Sequence, residues 1–160
     1  MDMVDTEGYA RHISLPDVGI TGQKLIDDSR VLVVGAGGLG SPVLMYLAAA
    51  GIGHIGVVDD DVVDLSNLQR QIIHSESAIG RPKVESAKER INSINSAIKV
   101  TTWNARLSPD NAEEILCDWD IVIDGTDNIP TRYLVDDVCN LLGIPSVSYT
   151  HLRAHETTCD

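Results

Sequence analysis

Short apolar runs alternate with helical patterns along most of this chain. The runs are rich in β-branched residues, as buried strands are, and they cover residues 30–34, 54–59, 98–103, 120–124 and 145–149. Apolar residues at helical spacing predict helices between them, over residues 41–50, 83–96, 112–117 and 131–142. Strands that alternate with helices form parallel sheets with right-handed crossovers. The pattern therefore predicts an open, doubly wound α/β fold with a mainly parallel sheet and helices on both faces.

Two segments lie outside this alternation. Residues 9–15 and 22–28 are predicted to form short helices before the first strand, so residues 1–29 are expected to be an N-terminal helical arm outside the sheet. The connection over residues 60–82 is long for a compact domain. Connections of that length are usually functional or disordered, which directs attention to its side chains.

Charge narrows the class of protein. The 160 residues carry a net charge of −12, from 24 acidic and 12 basic side chains. Such a field repels polyanions, so we expect neither nucleic acid nor a membrane surface as a partner. No apolar run reaches the roughly 18 residues of a membrane span, and residues 1–5 lack the basic start of a signal peptide. The sequence predicts a cytoplasmic protein.

A glycine-rich turn follows the first predicted strand. Gly35, Gly37, Gly38 and Gly40 form the pattern G-x-G-x-x-G between a strand and a helix. Glycines there let the backbone approach a phosphate closely, at the positive end of the helix. Asp59 ends the next strand, 24 positions after Gly35, where a carboxylate can accept a hydrogen bond from a ribose hydroxyl. These residues predict a nucleotide site.

The connection after Asp59 carries cations that a dehydrogenase does not need. Such a glycine loop usually indicates NAD, and an NAD-dependent oxidoreductase remains an alternative. Arg70 and Lys83, however, suit a triphosphate, whose charge of about −4 must be offset while a phosphorus centre is attacked. Pro82 is a good first helical residue and places Lys83 in the opening turn of its helix. The sequence favours ATP.

Five motifs follow one another in a specific order. They are Gly-Ala-Gly-Gly-Leu-Gly-Ser from Gly35, Asp-Asp-Asp from Asp59, Leu-Ser-Asn-Leu-Gln-Arg-Gln from Leu65, Gly-Arg-Pro-Lys-Val-Glu from Gly80, and Asp-Gly-Thr-Asp-Asn from Asp124. In order and spacing, from about residue 9 to residue 147, the chain resembles the ThiF/MoeB/HesA group, the prokaryotic relatives of ubiquitin-activating E1 enzymes. Its Ser-Asn-Leu-Gln-Arg-Gln motif favours the sulfur-carrier adenylyltransferases of that group over its tRNA-modifying dehydratases.

The resemblance implies a Rossmann-like domain that binds ATP and Mg²⁺. It also implies an adenylyltransferase that activates the C-terminal glycine carboxylate of a small ubiquitin-like sulfur-carrier protein ending in Gly-Gly. The product would be an acyl adenylate, with release of pyrophosphate, for molybdopterin or thiamine biosynthesis. A homodimer is implied as well, in which Arg11 reaches the ATP site of the neighbouring subunit.

The resemblance also assigns roles to single residues. Gly38 would lie against the phosphates, Asp59 would hold the ribose and Asp127 would ligate Mg²⁺. Asn67 and Arg70 would contact the triphosphate, while Lys83 would stabilise charge at the α-phosphate. The catalytic set is Arg11, Arg70, Lys83 and Asp127. The nucleotide-binding set is Gly35, Gly37, Gly38, Gly40, Asp59, Asp61, Ser66, Asn67, Leu68, Gln69, Arg70, Lys83, Asp127 and Asn128.

The resemblance ends near residue 147. Members of the group continue with the rest of the sheet and a structural zinc site, so we expect zinc only in a C-terminal half beyond this point. Residues 30–147 would then be a truncated ATP-binding domain, and residues 148–160 a tail that resembles translated sequencing-adapter sequence. Cys117, Cys139 and Cys159 match no zinc or catalytic position. A catalytically inert, truncated nucleotide-binding module is therefore a second alternative.

Overall fold

A five-stranded parallel sheet lies at the centre of the structure, a computed structural model that describes residues 5–148. The strands are β1 (Arg30–Val34), β2 (His54–Val58), β3 (Lys99–Trp103), β4 (Ile121–Asp124) and β5 (Ser146–Ser148). Their order is β3-β2-β1-β4-β5, and every neighbouring pair is parallel. The chain winds outward from β1 in one direction and then returns to its other side. The carboxyl ends of β1 and β4 are therefore the switch point at which open α/β sheets bind ligands.

The helices cover both faces of the sheet. They are α1 (Ala10–Ile13), α2 (Gly19–Asp28), α3 (Gly40–Ala50), α4 (Lys83–Ile94), α5 (Ala112–Leu116) and α6 (Ile129–Leu142). Helices α3 and α4 pack on one face and α5 and α6 on the other. This arrangement confirms the predicted doubly wound α/β fold. Within residues 5–148 no helix combines the length and apolar character that crossing a bilayer requires.

The central strand contributes to two separate cores. Val31 and Val33 pack with α3 and α4, whereas Leu32 and Val34 pack with α5 and α6. All four side chains are almost completely buried. Side chains alternate between the two faces of a strand, so a strand that is covered on both faces needs apolar residues throughout. This explains the continuous apolar run from which β1 was predicted.

The helix boundaries differ from the predicted ones for local reasons. Helix α6 begins at Ile129, two residues before its predicted start, because the Asn128 side chain accepts a hydrogen bond from the Thr131 N–H and caps it. Helix α4 ends at Ile94 because Asn95 adopts an extended conformation. Helix α2 begins at Gly19, three residues before the predicted start. The fifth predicted strand is described up to Ser148, and its last residue lies outside the described range.

The N-terminal helices are attached to the sheet layers by polar contacts. Gln23 of α2 is fully buried, and its amide nitrogen donates to the carbonyl of Ala50 at 3.1 Å. Its amide oxygen lies 2.9 Å from Nδ1 of His12. The Asn95 amide donates to the Tyr9 hydroxyl oxygen at 2.9 Å. These bonds fix the segment against the ends of α3 and α4.

Candidate nucleotide-binding site

A cavity of about 670 Å³ opens at the carboxyl ends of β1, β2 and β4. The glycine loop that joins β1 to α3 lines one side of it. The connections that follow β2, β3 and β4 supply the remaining walls. Both acidic and basic side chains are among the residues that line it.

The glycine loop folds tightly on itself. Gly35 has a φ of 95°, in the region that favours glycine, and its N–H donates to the carbonyl of Val58 at 2.8 Å. A Cβ atom on Gly40 would lie 1.8 Å from the carbonyl oxygen of Gly35, so no side chain fits there. Both glycines are therefore required by the backbone path itself.

Three residues of this loop that line the cavity have backbone donors that are unpaired within the described part of the chain. Among residues 5–148, the backbone N–H groups of Gly37, Gly38 and Leu39 have no hydrogen-bond partner. They precede α3, an 11-residue helix whose positive end points to the same place. Free N–H groups at a helix N-terminus bind anions, so this loop is suited to a phosphate.

Asp59 joins the glycine loop to the connection after β2. Its Oδ2 accepts a hydrogen bond from the Ala36 N–H at 2.8 Å, and its Oδ1 accepts one from the Asp61 N–H at 2.9 Å. The carboxylate also lines the cavity. It therefore fixes two walls of the site and keeps lone pairs for a hydroxyl of a ligand.

Lys83 is the buried cation of the site. Its side chain is only 6% exposed, and its Nζ donates to Oδ2 of Asp61 at 2.8 Å. The Lys83 N–H also donates to the carbonyl of Asp61, at 2.9 Å. Pro82 forms an isolated antiparallel bridge with Val62, which closes the long connection at the first turn of α4. The lysine is thus held at the cavity wall from both its backbone and its side chain.

Asn67 ends a short 3-10 helix, Leu65–Asn67, and lines the cavity together with Arg70, which follows three residues later. The turn is capped by Asp64, whose carboxylate accepts from the Ser66 N–H at 2.8 Å and the Ser66 hydroxyl at 2.6 Å. Those two bonds lower the pKa of Asp64. The Arg70 side chain lies over Gly38, with Cγ and Cδ 3.6 Å from the position of a Cβ atom there. The Arg70 side chain therefore lies in contact range of the glycine loop.

A buried ion pair holds the loop after β4. Asp124 is 2% exposed and accepts hydrogen bonds from the Thr126 N–H, the Thr126 hydroxyl and Nε of Arg132, at 2.8–3.2 Å. The Arg132 guanidinium also donates to the Thr126 carbonyl. Asp127 follows as an exposed residue on the cavity wall, and the next residue, Asn128, caps α6.

Several carboxylates of the site could hold a divalent cation. Oxygen atoms of Asp59, Asp60 and Asp61 lie within 4.8 Å of one another, and Asp127 lines the same cavity. Carboxylate oxygens together with substrate phosphates are the usual environment of Mg²⁺. The donor set therefore fits the predicted metal.

Most of the residues predicted for the site are brought together in one cavity. Those that line it are Gly35, Gly37, Gly38, Asp59, Asp61, Asn67, Arg70, Lys83, Asp127 and Asn128. Gly40 lies behind the loop, and Ser66, Leu68 and Gln69 lie outside the lining. Arg11 is exposed on α1, also away from the cavity.

The predicted catalytic and nucleotide-binding sets did not include five polar residues that line the cavity, which are Asp60, Gln71, Arg106, Thr126 and Thr131. Gln71 is 4% exposed, and among residues 5–148 its side-chain oxygen has no hydrogen-bond partner. Arg106 follows β3 and adds an exposed cation. Its position just after the carboxyl end of a predicted strand was the available signal.

The fold and this cavity define a class: a Rossmann-like domain with a glycine loop after β1, an acid after β2 and a buried lysine. The ThiF family model matches residues 9–156, and the chain belongs to the ThiF family.

Named relatives show the same relationship. The chain is 54% identical over 140 residues to the maize adenylyltransferase and sulfurtransferase MOCS3-1, covering 88% of this chain and 30% of the maize protein. It is 48% identical over 147 residues to the SAMP-activating enzyme E1 of Haloferax volcanii, covering 92% of this chain and 54% of that enzyme. The chain thus spans between about a third and a half of these relatives.

A solved structure shows the same fold. The tRNA N6-threonylcarbamoyladenosine dehydratase TcdA of E. coli, in complex with ATP, superposes with a TM-score of 0.85 at 31% sequence identity. The match covers 92% of this chain and 61% of that protein.

Proposed function

We propose that this chain is the ATP-binding part of an adenylyltransferase that activates the C-terminal carboxylate of a small ubiquitin-like sulfur carrier ending in Gly-Gly. The observation that carries the proposal is the buried Lys83 ammonium in the same cavity as the free N–H groups of Gly37, Gly38 and Leu39. Together they offer an ammonium group and unpaired backbone donors to a polyphosphate. The names of the maize and Haloferax relatives, an adenylyltransferase and an E1 activating enzyme, support the same reaction class.

The proposed reaction is the transfer of the adenylyl group of ATP to the carrier. A carboxylate oxygen of the carrier attacks the α-phosphorus of ATP, and the bond from that phosphorus to the α,β-bridging oxygen breaks. Pyrophosphate leaves with the bonding electron pair, and the carrier becomes an acyl adenylate. Both reactants are anions, so positioning and fixed positive charge lower the barrier, and no general acid or base is needed.

Each wall of the cavity would serve one part of this step. The glycine loop and Arg70 would hold the phosphates, and Lys83 would stabilise the charge that develops at the α-phosphate. Asp59 would accept a hydrogen bond from the ribose. Asp127, with the neighbouring carboxylates, would hold Mg²⁺, which when bound offsets part of the polyphosphate charge.

An NAD-dependent oxidoreductase is the competing enzyme class, and the cations of the cavity argue against it. Arg70, Lys83 and Arg106 all line the site. A dinucleotide carries two phosphates and is not cleaved at them, so three cations exceed its needs. The ATP complex of TcdA, which shares the fold, also supports ATP as the nucleotide.

The family also suggests an oligomeric state, a cellular compartment and a pathway for this protein. We infer a cytoplasmic homodimer in which Arg11, exposed on α1, reaches the ATP site of the neighbouring subunit. Molybdopterin or thiamine biosynthesis would consume the activated carrier. We also propose that residues 1–29 form the N-terminal arm and residues 30–147 the ATP-binding domain. The predicted tail, residues 148–160, lies outside the described residues except for Ser148.

Mass spectrometry of the carrier tests the proposal. The protein is incubated with ATP, Mg²⁺ and a carrier that ends in Gly-Gly, and the carrier is expected to gain one adenylyl group. A carrier without its terminal glycine is the control and should remain unmodified. Binding of NAD in preference to ATP would favour the oxidoreductase. Binding of ATP without modification of the carrier would favour the inert module.

A further inference from the structure

His74 bridges the glycine loop and the helix that carries Lys83. It lies in the connection after β2 and is 7% exposed. Its Nε2 is 2.8 Å from the carbonyl oxygen of Ala36, and its Nδ1 is 2.8 Å from Oγ of Ser86 on α4. No sequence spacing predicts these contacts, because Ala36 is 38 positions away along the chain.

The two partners fix the hydrogens of the ring. A carbonyl oxygen only accepts, so Nε2 carries a hydrogen and donates it to Ala36. Nδ1 then accepts the hydroxyl hydrogen of Ser86. Burial, together with the nearby Lys83 charge, lowers the pKa of His74 and favours this neutral form.

The bond to Ala36 determines where the next N–H group points. The carbonyl of Ala36 and the N–H of Gly37 belong to one peptide group, and no peptide bond among residues 5–148 is cis. In a planar trans peptide the carbonyl and the N–H point in opposite directions. Holding the carbonyl toward His74 therefore turns the Gly37 N–H away from His74. Gly37 lines the cavity, and its N–H is free for a ligand.

Ala36 is held on its other side as well. Its own N–H donates to Asp59, so neither of its backbone polar groups is available to rotate toward the cavity. Without His74, the peptide between Ala36 and Gly37 could turn over. The carbonyl dipole would then replace the N–H at the place where an anion binds, and the interaction would change from attractive to repulsive.

We propose that His74 is a positioning residue that orients the Gly37 N–H toward the phosphates of the bound nucleotide. This inference rests on the proposed function, because it needs a phosphate-bearing ligand in the cavity. In this role His74 does not touch the nucleotide and acts only through the backbone of the glycine loop.

The test compares phosphate-dependent and phosphate-independent binding in the full chain. ATP and adenosine are titrated into the unsubstituted protein, His74→Leu and His74→Gln. His74→Leu removes the donor to Ala36 and should weaken ATP binding about tenfold or more, with adenosine changed less than about twofold. The side-chain amide of glutamine can still donate to Ala36, so His74→Gln should recover most of the ATP affinity.

His54→Leu is the matched control. His54 also makes a 2.8 Å side-chain bond, to Thr101, but at the amino end of β2, away from the cavity. This variant should bind ATP as the unsubstituted protein does. If His74→Leu fails to fold, Ser86→Ala takes its place, because it frees the ring without removing it and should weaken ATP binding several-fold.

The outcomes separate this inference from the proposed function. Equal ATP affinity in His74→Leu and the unsubstituted protein overturns the role of His74. An equal loss for ATP and adenosine also overturns it, since that pattern indicates general damage to the site. If the unsubstituted protein binds no ATP, the proposed function fails, and this inference fails with it.

Discussion

The Lys83 ammonium lies 2.8 Å from the Asp61 carboxylate, so the cation expected to meet a phosphate is already paired. The two partners differ in burial: the Lys83 side chain is 6% exposed and the Asp61 side chain 68%. A polyphosphate that enters the cavity must compete with Asp61 for this lysine. The pair keeps a buried charge compensated until the ligand arrives.

Removing that competitor should change binding and stability in opposite directions. Asp61→Asn should tighten the binding of metal-free ATP several-fold, since Lys83 is released and one negative charge leaves the cavity. It should also lower the free energy of unfolding by about 1 kcal/mol, because the buried ammonium loses its partner. Calorimetric titration and urea denaturation measure the two effects.

Asp60→Asn is the control for charge alone. Asp60 also lines the cavity, but among the described residues no ion pair joins it to Lys83. It should tighten ATP binding less than Asp61→Asn does and leave stability unchanged. Equal effects of the two substitutions would show that the ion pair has no specific role.

Two glycines of the phosphate loop should respond differently to a methyl group. In Gly40→Ala the new Cβ would lie 1.8 Å from the Gly35 carbonyl oxygen, so the loop must deform and the protein should lose several kcal/mol of stability. In Gly38→Ala the nearest atoms belong to Arg70, at 3.6 Å, an ordinary contact.

Gly38→Ala should therefore fold normally and lose ATP affinity, since the methyl group occupies the approach to the phosphates. Thermal unfolding and ATP titration distinguish the two variants. A Gly38→Ala protein with normal ATP affinity would place the phosphates elsewhere in the cavity.

Arg132 should matter for stability although it does not itself line the cavity. Arg132→Met leaves the carboxylate of Asp124 buried without its cation, and we expect a loss of about 2 kcal/mol in the free energy of unfolding. The loop that carries Asp127 should also loosen, because Arg132 donates to the Thr126 carbonyl.

Arg81→Met provides the comparison. Arg81 pairs with Glu89, but both side chains are well exposed, so its loss should leave the urea midpoint nearly unchanged. Equal destabilisation by the two substitutions would contradict the role given to burial.

The fold was predictable because its signals are local. Five short runs and the helical patterns between them indicated the five strands of residues 5–148, and residues 31–34 of β1 and 55–58 of β2 carry no polar side chain because both faces of the sheet are covered. The start of α6 was misplaced because the cap at Asn128 depends on its side-chain conformation, which no periodicity records.

The site residues that lie in short sequence motifs could be predicted, whereas contacts between residues far apart in the sequence could not. The glycine loop, Asp59 and Lys83 lie in short, ordered motifs. The contact of His74 is with a carbonyl group 38 residues away along the chain. The position of the Arg70 side chain next to Gly38 depends on how the connection between β2 and α4 folds back over the glycine loop. Such relationships exist only in three dimensions.

The stability of the protein should fall as the pH falls below about 6.5, the ordinary pKa of histidine. Burial lowers the pKa of His74 in the native state, and the Lys83 charge lowers it further, while the bond to the Ala36 carbonyl and the Asp59 charge partly oppose the shift. Between the native and the ordinary pKa the unfolded chain binds a proton that the folded chain does not, so acid favours unfolding.

His74→Gln removes this contribution. Its unfolding free energy should therefore fall less than that of the unsubstituted protein between about pH 7.5 and pH 5.5. His54, whose pKa is also lowered by burial and by neighbouring cations, is present in both proteins and cancels in the comparison. If the unfolding free energies of the two proteins changed equally with pH, His74 would not be neutral in the native state.

Carrier-dependent exchange of labelled pyrophosphate into ATP tests the central claim most directly, because it reports the reversal of adenylate formation in this cavity. We expect exchange that requires both Mg²⁺ and a carrier ending in Gly-Gly. Lys83→Ala should slow it by about a hundredfold or more, as loss of a preorganised charge does, whereas Lys88→Ala on the same helix should not. ATP binding without exchange, or exchange that survives Lys83→Ala unchanged, would contradict the account.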